Sequence, residues 1–104
     1  MSEITKLDKS LIIKKIDSET INIQITSNPM LMSIVGQFDQ NLKELEKLTG
    51  TIIFFRGNSI TCKGKESNLK DFSEAIKFLI GKYLLTNFIE KSDIMLSVKK
   101  DMKL

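Results

Sequence analysis

Apolar and polar positions change their period several times along the chain, and each change marks an element. Residues 20–26 read Thr-Ile-Asn-Ile-Gln-Ile-Thr and alternate without a break. Period two with β-branched residues predicts a strand, apolar on one face and polar on the other. Ser27-Asn28-Pro29 ends it: Asn28 suits a helix cap, and Pro29 suits the first helical position, where its missing N–H is no loss. A short helix is expected from Pro29 to about Val35, with Met30, Leu31, Ile34 and Val35 apolar. Gly36 interrupts it. A second helix is expected from Asp39 or Gln40 to Leu48, where Leu42, Leu45 and Leu48 form one stripe, and Gly50 is its natural stop.

Thr51 to Arg56 is rich in Ile and Phe and reads as a strand. Gly57-Asn58 reads as a two-residue turn, since both residue types accept positive φ. Ser59 to Lys63 is the return strand. A long helix starts near Ser67 or Asn68 and runs through Leu69, Phe72, Ala75, Ile76, Leu79 and Ile80 toward Tyr83 and Phe88. Gly81 weakens it by about 1 kcal/mol relative to Ala. Residues 92–98 suggest one more turn or a short strand, and residues 99–104 a solvated end. Residues 1–19 show no clear period and read as a tail that docks only in part, with Leu11-Ile12-Ile13 and Ile16 forming a short extended segment. The layout expected is a tail over 1–19, a domain over 20–88 and an extension over 89–104. The order β-α-α-β-β-α implies an α+β fold, a three-stranded sheet with helices packed on one face.

Composition narrows the function. A chain of 104 residues is one domain. Its longest apolar run is Ile52-Ile53-Phe54-Phe55, too short for a transmembrane helix, so no membrane partner is expected. The N-terminus carries Glu3 and Asp8 and lacks the apolar run of a signal peptide. There is no histidine and one cysteine, Cys62. Histidine triads, histidine metal sites and an internal disulfide are excluded, and a reducing, cytosolic compartment is expected. No cofactor or metal is expected. The nearest carboxylate pairs are Glu44 with Glu46, which do not share a helix face, and Asp71 with Glu74, which lie on an ordinary surface. No catalytic constellation results. The net charge is +3, lodged in the second half of the chain, and Arg56 is the one arginine among 16 basic residues.

The run Val35-Gly36-Gln37-Phe38-Asp39, followed by Leu42, Leu45 and Thr49-Gly50, resembles the loop and second helix of a KH domain of the kind that begins with a strand. The resemblance covers residue 20 to about 83. The string 36–46, Gly-Gln-Phe-Asp-Gln-Asn-Leu-Lys-Glu-Leu-Glu, together with Arg56-Gly57-Asn58, is similar to the KH-like segment that opens PhoH-family (phosphate starvation-inducible-like) proteins. There that segment precedes a P-loop ATPase domain, and the whole is thought to act on RNA. This chain has no Gly-x-x-x-x-Gly-Lys-Ser/Thr run. The resemblance therefore implies a standalone or N-terminal module that is not itself an enzyme.

In a KH domain a Gly-x-x-Gly loop lets the backbone approach nucleic acid closely. Here Gly36 keeps the first glycine and Asp39 replaces the second. Asp39 is expected to cap the second helix, accepting N–H bonds from residues 41 and 42, and it would repel phosphate. The residues expected to meet nucleic acid are Gly36, Gln37, Phe38, Lys43, Arg56, Asn58 and Lys63. Phe38 either stacks on a base or packs under the loop or against Leu42. Arg56 meets either a phosphate or base, or an acid of its own chain such as Asp39 or Glu46. Cys62 reads as core. Ile52 and Phe54 point away from the helices and are either covered by Leu11-Ile12-Ile13 or Ile94-Met95-Leu96, or form an interface. Two readings follow: single-stranded RNA binding, or a KH-shaped scaffold that self-associates as a homo-oligomer or docks the ATPase domain.

Overall fold

A computed structural model describes residues 10–98. The segments 1–9 and 99–104, and with them most of the expected tail and the expected solvated end, lie outside the described residues. The elements in chain order are β1 (Leu11–Asp17), β2 (Thr20–Ile25), α1 (Asn28–Val35), a 3₁₀ turn (Gln37–Asp39), α2 (Gln40–Thr49), β3 (Ile52–Arg56), β4 (Ser59–Lys63), α3 (Glu66–Thr86) and α4 (Lys91–Val98).

The fold is α+β, with a four-stranded sheet in the order β1-β2-β4-β3 and every neighbouring pair antiparallel. The three-stranded sheet expected from the sequence is corrected by β1, which pairs along β2 from Leu11↔Ile25 to Asp17↔Thr20. The Asp17 carboxylate accepts the Glu19 N–H at 2.9 Å and tightens the turn between them. Residues 11–17 are thus an edge strand rather than part of a tail.

Antiparallel register fixes the two faces. Ile23 pairs with Ile13 and Ile60, and Ile21 with Lys15 and Cys62. Ile21, Ile23, Ile25, Ile60 and Cys62 are all buried, and they pack with one face of each helix. The core comprises these positions with Met30, Leu31, Ile34 and Val35 of α1, Leu42 and Leu45 of α2, and six residues of α3 from Leu69 to Ile80. Burial pushes the Cys62 thiol up to about 11, as befits a packed apolar group.

Four local expectations are corrected. Ser27 caps α1 in place of Asn28, its hydroxyl accepting the Met30 N–H at 3.4 Å. Only Gly57 takes positive φ in the hairpin turn; Asn58 does not. Residues 91–98 form a helix, not a turn or short strand. Its Ile94 lies in the core, so it belongs to the domain rather than to an extension. A half-buried Lys82 of α3 donates to the buried Asp93 of α4 at 2.9 Å. The Glu90 N–H, then Lys82, hold the Asp93 carboxyl below the usual range. Among the described residues, no helix is long and apolar enough to cross a membrane.

Candidate nucleic-acid interface

The sharp link between α1 and α2 depends on backbone that side chains resist. Gly36 ends α1 at φ 83°, ψ 170°, a region open essentially to glycine, and its N–H donates to Met32 C=O. The Gly36 carbonyl then accepts the Asp39 N–H at 3.2 Å. Phe38 (φ 53°) and Asp39 (φ 60°) follow in the left-handed region, which costs a non-glycine residue about 1–2 kcal/mol. The Asn41 side chain braces the turn, its amide donating to Ser33 C=O at 3.3 Å.

Two expectations change here. Asp39 stands at the N-cap position of α2, but its side chain makes no capping hydrogen bond. Capping needs an extended N-cap backbone to aim the carboxylate at the first turn, and the left-handed backbone does not provide it. Phe38 does not pack against Leu42; it is 81% exposed. The left-handed backbone and the solvated ring both count against stability.

Lys43 and Glu46 lie one turn apart on the same flank of α2. The Glu46 carboxylate accepts the Ile53 N–H of β3 at 2.7 Å, and the Glu46 carbonyl accepts the Thr51 N–H at 3.3 Å. The chain has therefore reversed, and β3 runs back along α2. The helix from Glu46 to Gln40 is about 9 Å long, and the strand from Ile53 to Arg56 about 10 Å. Loop 36–39 and the hairpin tip Arg56-Gly57-Asn58 thus stand at the same end. Loop 36–39 and Lys43 lie on the helix side of the β3 edge, whereas Arg56, in register with Ser59 and on the same side of its strand as Ile52 and Phe54, turns to the opposite face of the sheet. β3 is an edge strand, so Phe55 turns its N–H and C=O the same way as Ile53, outward from the free edge of the sheet.

Lys63 is not part of this group. It pairs with Ile52 at the far end of the hairpin from Arg56. Arg56 and Lys43 form no ion pair with Asp39, Glu46 or any other described acid, so both cations face solvent. Among the described residues no group of His, Cys, Asp and Glu could hold a metal ion.

On the opposite side of the sheet, Ile52 is 57% and Phe54 53% exposed. Neither expected cover reaches them among the described residues. β1 occupies the other edge of the sheet, and Ile94 points into the core. Three further groups shape these surfaces: sequence reasoning assigned no role to Asn41 or Asn22 and offered Glu46 only as a partner for Arg56. Asn41 braces the loop, and the Gly-x-x-Asp-x-Asn spacing carries its signal. Glu46 covers the edge of β3. Asn22 joins Ser59 and Thr61 across two strands, a contact that only the register reveals.

Comparisons of the chain with protein-family models, with curated proteins and with solved structures gave no match.

Proposed function

We propose that this chain is a KH-like module that binds single-stranded RNA in the groove between loop 36–39, the Lys43 flank of α2 and the free edge of β3. The reading is supported by the order β2-α1-α2-β3-β4-α3, which fits the strand-first KH order, with β1 and α4 as additions. The observation that carries it is Phe38, a left-handed aromatic residue held in solvent at the mouth of the groove. An exposed ring with Lys43 one turn into the next helix offers what a flexible strand needs, a face for a base and a cation for a phosphate. On the PhoH resemblance the module serves an ATPase domain in a longer protein and has no catalytic role of its own. The exposure of Ile52 and Phe54 favours a second reading, a scaffold that self-associates or docks that domain through the sheet.

The test is fluorescence anisotropy with a labelled single-stranded oligouridylate across a salt series. Wild type is expected to bind weakly and to lose affinity as salt rises, since few cations meet phosphate. Phe38→Gly and Lys43→Ala should each weaken binding. Asp39→Gly should tighten it by removing a negative charge from the groove. Equal affinity in all four proteins would sink the groove as an RNA site and leave the scaffold reading.

A further inference from the structure

The face of the sheet turned away from the helices is ordered by register into rows. Ile12, Gln24, Ser59 and Arg56 form one row. Lys14, Asn22, Thr61 and Phe54 form the next, and Thr20, Lys63 and Ile52 the last. Phe54 therefore lies beside Thr61, two residues from Arg56 on its own strand and diagonal to Ser59 and Lys63. An open groove runs over these residues.

The polar atoms next to the ring are arranged, not merely present. The Asn22 amide donates to Thr61 Oγ1 at 3.0 Å and to Ser59 Oγ at 3.3 Å. Both hydroxyls therefore act as acceptors toward Asn22 and keep their own protons for an outside acceptor, while the Asn22 carbonyl oxygen is left to accept. Charge on the face is mostly positive: Lys14, Arg56 and Lys63 against Asp17, which lies close enough to Lys63 to feel its charge.

The geometry points to this face as a second contact for the same single strand of RNA, with one base stacked on Phe54, its edge met by Asn22, Ser59 and Thr61, and its phosphates met by Arg56, Lys63 and Lys14. The inference rests on the nucleic-acid reading above but uses a different surface. A second copy of the chain is the poorer occupant for two reasons. Two such faces would bring like charges together. Four strands of about five residues also give a footprint of about 300 Å², against about 800 Å² per partner in a stable interface. A strand of RNA needs no such area, because stacking and phosphate pairing act nucleotide by nucleotide.

Phe54→Ala, Phe54→Trp and Phe38→Gly are compared with wild type in the same oligouridylate titration, with sedimentation run alongside. Phe54 is half exposed, so all variants are expected to fold, and circular dichroism checks it. Phe54→Ala should weaken binding about tenfold. The chain has no tryptophan, so the indole of Phe54→Trp is a unique reporter, and saturating RNA should quench it. Full affinity in Phe54→Ala with weakened binding in Phe38→Gly overturns this inference and leaves the groove reading standing. No RNA binding by wild type overturns both. A wild-type dimer that Phe54→Ala splits, with RNA affinity unchanged, assigns the face to a second copy instead.

Discussion

Replacing Gly36 by alanine should cost this fold far more than the usual loop substitution. At φ 83° and ψ 170° the backbone is in a region where a side chain costs about 1–3 kcal/mol. An added Cβ would also stand 2.7 Å from Cγ and from Nδ2 of Asn41, and 3.1 Å from its backbone nitrogen. Asn41 must give way, which puts at risk its bond to Ser33 C=O, worth about 0.5–1.5 kcal/mol. Alanine stiffens the unfolded chain and returns about 0.4–1 kcal/mol. The balance is a loss of about 2–3 kcal/mol, or a Tm lower by about 10–20 °C for a domain of this size. Urea and thermal denaturation followed by circular dichroism measure it. Gly57→Ala is the control: it also has positive φ (62°), but its Cβ would meet nothing within 4 Å. It should lose backbone strain alone. Gly36→Ala combined with Asn41→Ala should cost less than the sum of the two single changes, because the collision disappears. A Gly36→Ala protein within about 0.5 kcal/mol of wild type, or strict additivity in that cycle, would refute the reasoning.

Phe38→Gly should leave stability unchanged or raise it by up to about 1 kcal/mol, since it relieves a left-handed aromatic residue that packs on nothing; a clear drop in Tm would show that the ring supports the loop. Asp93→Asn should destabilise the domain at neutral pH by leaving Lys82 without its charged partner. Because folding lowers the Asp93 pKa from its ordinary 3.8, that stabilisation is present above pH 3.8 and fades as pH falls through the lower folded value, so the Tm gap between variant and wild type should close in acid. Cys62, with its thiol pushed up to about 11, should resist a thiol reagent at pH 8 until denaturant is added; rapid labelling of the native protein would contradict its place in the core.

The elements that the sequence makes legible are those with a single clean period. Ile21, Ile23 and Ile25 alternate, and Leu42 and Leu45 keep helical spacing; each sits where its pattern puts it. β1 is obscured because an edge strand is half exposed on both faces, so Ile12, Lys14 and Lys15 carry no consistent alternation. α4 is obscured because Met95 and Leu96 are apolar yet exposed, which hides the position of Ile94 in the core. In the groove, Gly36 announces a break in the helix, and the break follows. The conformations of Phe38 and Asp39 do not show in their identities, because aromatic residues ordinarily pack and aspartates ordinarily cap. Tertiary constraint on the turn overrides both tendencies.

The central seam of the sheet has a consequence for how the molecule folds. β1–β2 and β3–β4 are joined by tight turns and need close only short loops, events of microseconds. The β2–β4 seam joins residues such as Asn22 and Thr61, 39 apart in sequence, and α1 and α2 must lie between them. Closing that span carries the larger loss of chain entropy, and both hairpins gain a shared core only once it closes. The seam is therefore where the rate-limiting step belongs. Ile60→Val or Asn22→Ala should slow refolding, whereas a change at the end of β1, such as Ile12→Val, should leave the refolding rate unaltered and act only on unfolding.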